Sequence, residues 1–254
     1  MKTQSTNSQR PTVLITGAAL RLGKAMAEAF FARDCNLMLH YRQSGEAAES
    51  LAHHFNQIRA GSCHLVQANL SRPYASKTII ESTINHFGRL DHVVNNASIF
   101  YPTPFESMSE NELLSIIQTN ALAPISLIKQ ALSYLKQSNG SVVNLIDIYA
   151  QSGLKNHTAY VAAKSALEAA TFQLAYELAP EVRINGVSPG AILWPDNETT
   201  SDQEKARQQI LENTALKRLG EPEDIAATVI YLTLDASYTT GSVIKVDGGR
   251  RWYL

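Results

Sequence analysis

Cysteine is scarce in this sequence: Cys35 and Cys63 are its two representatives among 254 residues. Two isolated thiols form neither a disulfide framework nor a zinc spacing, and they suit a reducing compartment where both stay free. A surplus of either charge is missing too, since 22 Lys and Arg face 23 Asp and Glu for a net charge of −1. That balance offers no electrostatic footprint for nucleic acid or an anionic membrane. No run of about 18 apolar residues occurs, so no membrane-spanning helix is predicted. Residues 1–10 are polar, without the apolar stretch of a secretory signal, and read as a disordered arm before Pro11. The seven histidines show no metal spacing, and there is no Gly-x-Ser-x-Gly elbow. These absences predict a cytoplasmic protein with no nucleic-acid, membrane or metal partner.

What is present is a 44% hydrophobic chain in which short β-rich runs alternate with helix-length segments. Strands are predicted at 12–16, 36–40, 62–67, 92–95, 141–146, 182–187 and 243–246, and helices at 22–33, 47–59, 74–87, 110–135, 159–178 and 222–234. The helical segments repeat apolar residues at three- and four-residue steps, while the strands are nearly continuous apolar runs, as strands covered on both faces must be. Alternation of this kind means βαβ units with right-handed crossovers. The predicted class is α/β: a Rossmann-type, doubly wound, seven-stranded, mostly parallel sheet in a single domain over 11–254. One stretch breaks the rhythm, about 190–213, which is polar with a short helical pattern and reads as a substrate lid.

Directly after the first strand comes Thr16-Gly17-Ala18-Ala19-Leu20-Arg21-Leu22-Gly23. A glycine there permits a tight turn, and Gly23 permits close helix packing, so the helix start can hold a dinucleotide pyrophosphate. Turn chemistry alone would explain two such glycines equally, but the first βα turn is where these folds bind nucleotides. Arg21 can reach a phosphate or the substrate. After the second strand, Leu39-His40-Tyr41-Arg42-Gln43-Ser44 holds no acid before Glu46. An NAD site normally offers a carboxylate to the ribose hydroxyls. Here Arg42, with His40 and Ser44 beside it, can instead meet a 2′-phosphate, which favours NADP; the other reading is a solvated arginine.

Of the ten tyrosines, only Tyr160 has a lysine four residues on, Lys164, and both fall on one face of the helix at 159–178. A nearby lysine cation is expected to bring a phenol down from its usual 10, making Tyr160 a general acid. The strand before that helix ends in Asp147, at the carboxyl edge where ligands bind. An aspartate after a strand can also be a simple loop cap, and Tyr160 and Lys164 can be an amphipathic pair on a buried helix.

These residues carry a resemblance. Thr16-Gly17 to Gly23, Asn95-Asn96-Ala97, Asn120, Tyr160 with Lys164, Pro189-Gly190 and Val246-Asp247-Gly248-Gly249 resemble the short-chain dehydrogenase/reductase family over nearly all of 11–249. Arg21 with Leu22, His40-Tyr41-Arg42, the segment from Asn95 through Ser98 and Phe100 to Pro104, and Asp147 resemble its pteridine reductases. The resemblance implies an NADPH-dependent reductase of pterins or dihydrofolate, assembled as a homotetramer. It implies Asp147, Tyr160 and Lys164 as catalytic residues, Asn120 supporting Lys164, and Arg21, Ser98, Phe100, Asp147 and Tyr160 around the substrate. Phe100 would stack on the pterin, although a surface-loop aromatic is an equal reading from sequence. Cofactor contacts are implied at Gly17, Arg21, Leu22, Gly23, His40, Tyr41, Arg42, Ser44, Asn69, Leu70, Asn96, Ala97, Ser98, Tyr160, Lys164, Pro189 and Gly190. Two departures stand out: Asn69 replaces the family's usual aspartate near the adenine, and 191–195 matches no transferable motif. Most of the family place serine where Asp147 stands, to donate to a substrate carbonyl; an ionised aspartate would repel that oxygen. An alternative activity is carbonyl reduction.

Overall fold

The computed structural model describes residues 10–192 and 201–250, the side chains at 201–203 and 206 excepted. The arm expected at 1–10 therefore lies outside the described residues up to position 9, while Arg10 is bonded to Asp34 at 2.8 Å. The expected lid falls partly outside as well, at 193–200. Seven strands form one sheet: β1 Thr12–Thr16, β2 Asn36–Tyr41, β3 Cys63–Gln67, β4 His92–Asn95, β5 Ser141–Leu145, β6 Arg183–Pro189 and β7 Val243–Val246. Their order is β3-β2-β1-β4-β5-β6-β7, with every neighbouring pair parallel. β1 and β5 are buried along their whole lengths, which is why they read as unbroken apolar runs.

Helices α1 (Arg21–Ala32), α2 (Gly45–Ile58) and α8 (Pro222–Ile230) cover one face; α3 (Ala75–Phe87), α5 (Ala123–Ser138) and α6 (Thr158–Leu178) cover the other. The period-2 geometry of a strand divides β1 between two cores. Val13 and Ile15 pack with Phe30, Phe55 and Val229, whereas Leu14 packs with Ile79, Leu127 and Ala175. Each fully buried Leu, Ile or Phe contributes about 1.5–3 kcal/mol. Among the described residues no helix is long and apolar enough to cross a membrane.

The helix expected over 110–135 is three pieces: α4 (Glu110–Ile117), a π turn Gln118–Leu122, and α5. A capping box between Ser109 and Glu112 starts α4. Pro124 explains the break, since it has no N–H to give the carbonyl four residues back, that of Asn120. A wide turn of this type is frequent at functional sites, and it carries Asn120. The helix expected over 222–234 likewise ends at Ile230 in a second π turn, Tyr231–Asp235. There the Arg183 guanidinium takes the Leu232 and Thr233 carbonyls at 2.8 and 2.7 Å. The short helical pattern near the expected lid is α7, Ser201–Glu212. Between β1 and β4 the strand order reverses, which opens a crevice at the carboxyl edge.

Candidate active site

A cleft of about 410 Å³ occupies that crevice. Its walls are the β1–α1 turn with Gly17, Arg21, Leu22 and Gly23; the end of β2 with His40, Tyr41, Arg42 and Ser44; then Asn69 and Leu70, and Asn96 to Ser98 after β4. Gly17 holds φ +63°, and a Cβ there would stand 3.0 Å from the Ala97 Cα. At Gly23 a Cβ would lie 2.1 Å from the Gly17 carbonyl oxygen. Gly23 thus lets α1 press on the turn itself rather than on the sheet, as its spacing alone had implied. The first intrahelical amide bond of α1 runs from Lys24 to Leu20, so Leu22 and Gly23 present amides at the positive helix end.

Two wall residues brace this turn from behind. The Asn96 amide donates to the carbonyls of Thr16 and Gly17 at 2.9 and 3.0 Å. The His40 ring bonds the Gly17 amide through Nδ1 at 3.2 Å and the Ala68 carbonyl through Nε2 at 3.1 Å. Burial pulls His40 down to about 4, so Nε2 carries the hydrogen and Nδ1 accepts. A neutral imidazole with both nitrogens engaged cannot supply charge to a phosphate; this corrects the sequence expectation for His40. Arg42 is exposed and bonds Gln43 at 3.1 Å. Asn69 uses its side-chain oxygen on Ser71, accepting from its amide at 3.1 Å and its hydroxyl at 2.9 Å.

Past Ser98 the crevice meets a second group. The Tyr160 hydroxyl, on the first turn of α6, donates to Asp147 Oδ2 at 2.7 Å. Asp147 also caps the short turn Ile148–Gln151 by accepting the Tyr149 amide through Oδ1 at 2.9 Å. The loop-cap reading of this aspartate is met on Oδ1, and Oδ2 is left to hold the Tyr160 hydroxyl. Lys164 is buried one turn further along α6, and its ammonium donates to the Leu145 carbonyl at 2.7 Å. Burial pulls Lys164 down to about 8 against the attraction of Asp147. Burial also raises Asp147, opposed by the Tyr149 amide, the Tyr160 hydroxyl and the charges of Lys164 and Arg250.

Tyr160 departs from expectation. Its nearest strong partner is the Asp147 carboxylate, and Lys164 Nζ stands 5.8 Å from its ring centre. Burial and Asp147 push the phenol up, with the Ser98 hydroxyl opposing. The expected lowering by lysine is therefore reversed: Tyr160 is held as a neutral phenol that donates to Asp147. Asn120 differs as well. Its side-chain oxygen accepts from the Ser98 hydroxyl at 3.0 Å and the Ile99 amide at 2.9 Å, and its amide donates to the Ile99 carbonyl at 2.9 Å. The π turn aims it at this loop, whereas Lys164 is held by Leu145.

Phe100 stacks on His157 at 4.6 Å and meets Tyr160 edge-on at 4.8 Å, with about half its surface open (56%). Pro189 and Gly190 do not join the cleft wall: Gly190 packs on Asp247, where a Cβ would meet its Cα at 2.6 Å. Sequence reasoning missed Tyr149, His157 and Arg250. The buried Arg250 donates to the Tyr149 hydroxyl at 2.6 Å, and no spacing signals a contact across a hundred residues. Among the described residues no three His, Cys, Asp or Glu side chains gather as a metal site.

A family model described as Enoyl-(Acyl carrier protein) reductase matches residues 17–251. Pteridine reductase 1 of Leishmania tarentolae is 34% identical, over 96% of this chain and 98% of that protein. The chain belongs to the short-chain dehydrogenase/reductase family. Another relative, the 3-oxoacyl-acyl-carrier-protein reductase FabG of Staphylococcus epidermidis, is 32% identical over 94% of this chain and 98% of its own. A solved short-chain dehydrogenase/reductase from Brucella melitensis, titled a glucose/ribitol dehydrogenase, superposes with a TM-score of 0.86 at 33% identity, covering 98% and 99% of the two chains. As a short-chain dehydrogenase/reductase the protein is an oxidoreductase that uses a nicotinamide cofactor. Its cleft fits one: the close approaches at Gly17 and Gly23 set the β1–α1 turn against the start of α1, whose first amides and positive end suit a pyrophosphate.

Proposed function

We propose that this short-chain dehydrogenase/reductase reduces a pterin, a dihydropterin or dihydrofolate, with NADPH as hydride donor and Tyr160 as proton donor. The observation that carries the reading is the Asp147 carboxyl 2.7 Å from the Tyr160 hydroxyl. A carboxylate repels a substrate carbonyl oxygen but accepts from a ring N–H, and once protonated the same carboxyl can pass a proton toward a ring nitrogen. Bound NADPH supplies the hydride. The chain supplies the rest: Lys164 would bond the nicotinamide ribose, Ser98 would contact cofactor and substrate, and the open face of Phe100 would stack on the heterocycle. When Asp147 is protonated, its carboxyl can donate to the phenol oxygen, leaving the Tyr160 hydrogen for the substrate nitrogen. Burial favours that protonated form. Arg21 adopts φ +53°, a conformation costing a non-glycine residue about 1–2 kcal/mol, and its side chain would reach phosphate and substrate.

NADPH is favoured because no acid stands among residues 40–45 and Arg42 opens on the cleft. Replacing Arg42 with alanine is expected to weaken NADPH by about 1.5–3 kcal/mol, on the order of ten- to a hundred-fold, with NADH unchanged. Fluorescence titration with each cofactor checks it, and an equal loss for both would remove Arg42 from phosphate recognition. We also propose a cytoplasmic homotetramer. On α6 the exposed small residues Ala162, Ala166 and Ala169 run beside exposed Phe172 and Tyr176, a face suited to close helix packing against another copy; sedimentation reads the assembly mass. Carbonyl reduction is the second reading, favoured by the staphylococcal relative. NADPH oxidation over dihydrobiopterin, dihydrofolate and simple ketones separates the two: turnover of ketones alone ends the pterin reading.

A further inference from the structure

Arg250 is a buried cation that the mechanism above does not use. It is 8% exposed, and it donates through Nη2 to the Tyr149 hydroxyl at 2.6 Å. Its Cζ stands 5.5 Å from the centre of the Tyr149 ring. Its Nε is enclosed without a partner among the described residues. A buried guanidinium is costly to desolvate, so its location beside the site asks for a reason. The turn after β7 takes it there: Gly248 and Gly249 both hold positive φ, at +62° and +80°, and the Gly249 amide bonds Asp247 at 2.8 Å. The Arg250 amide then closes on the Asp247 carbonyl at 3.1 Å.

Tyr149 is the residue whose amide clasps Asp147 Oδ1 at 2.9 Å. Its turn is pinned a second time at the far end, where Lys245 of β7 donates to Gln151 at 2.6 Å and Gln151 donates to Glu168 of α6 at 2.6 Å. β7 and the segment following it therefore grip the Asp147 turn with one cation at each end, Lys245 and Arg250. We propose that Arg250 is a positioning residue: it anchors Tyr149, and through that residue's amide the Asp147 carboxyl, and it sets a second positive charge beside Lys164 in reach of that carboxyl. The inference rests on the reading of Asp147 and Tyr160 as the proton-delivering pair.

The charged and titratable groups facing Asp147 are Tyr149 in its own turn, Tyr160 and Lys164 from α6, and Arg250 after β7. A neighbouring cation favours the ionised carboxylate. Removing Arg250 must therefore raise the pH at which Asp147 takes up its proton. A merely structural arginine would leave that midpoint in place.

Infrared titration of the cofactor-free protein, with the Asp147 band identified by difference against Asp147→Asn, reads the midpoint without any substrate. Arg250→Met is expected to raise it by about one pH unit, and Arg250→Lys to restore most of the shift. An unmoved midpoint in folded Arg250→Met overturns the proposal. Should Arg250→Met not fold, Tyr149→Phe decides: it removes the acceptor that holds the guanidinium, and a smaller upward shift supports the proposal whereas none overturns it. The two readings fail separately. A shifted midpoint in an enzyme that turns over no pterin sinks the proposed substrate and leaves Arg250 standing; pterin turnover with a fixed midpoint does the reverse.

Discussion

Asp147→Ser will lower kcat for pterin reduction by about 100- to 10,000-fold, the range of a lost general acid–base contribution, while NADPH affinity stays within a few-fold. The expectation follows from the bond at 2.7 Å between Asp147 and the Tyr160 hydroxyl. Serine can donate to an oxygen and accept from an N–H, but as a neutral hydroxyl it accepts more weakly than a carboxylate and cannot take up and release a proton as a carboxyl does. Tyr160→Phe should fall in the same range. Because both side chains act on one proton, the double variant should lose little more than either single one. Stopped-flow single turnover with NADPH and dihydrobiopterin separates the chemical step from binding. Undiminished turnover by Asp147→Ser would remove the carboxyl from the mechanism.

Gly23→Ala has the other large expected effect, and it acts through packing. The added Cβ would lie 2.1 Å from the Gly17 carbonyl oxygen and 2.8 Å from the Ala18 Cα, both backbone atoms that cannot turn aside. Backbone displacement of this kind costs about 1–3 kcal/mol, and it spoils the amide geometry at the start of α1. The outcome should be a lower melting temperature and at least a tenfold weaker NADPH complex. Gly45→Ala is the control, since its Cβ would meet nothing nearer than the Tyr41 ring at 3.7 Å. Equal behaviour of the two variants would show that the close approach at Gly23 does not shape the cofactor site.

Much of the fold was legible because its cause is local. Fully covered parallel strands must be apolar throughout, so β1, β4 and β7 were found at their observed bounds and the others within two residues. The long helix expected over 110–135 failed because Pro124 cannot close the ladder, and its consequence, a π turn carrying Asn120, depends on the loop at Ser98 and Ile99 that receives the side chain. Periodicity reports which face is apolar; it does not report where a wide turn sends a polar group.

At the site the same division holds. Glycines at 17 and 23, the missing acid after β2, and the tyrosine and lysine four apart are spacings within single elements, and sequence alone marked them. The roles of His40 and Asn96 as braces, the upward push on Tyr160 by burial and Asp147, and the reach of Arg250 to Tyr149 came from the tertiary structure. Desolvation and charge contacts depend on which distant segments meet, and a linear pattern holds no record of that. The chain alone therefore determined the strands, the helices and the chemical groups available; folding decided which of those groups are buried and neutral, which are clamped, and which distant partners they meet.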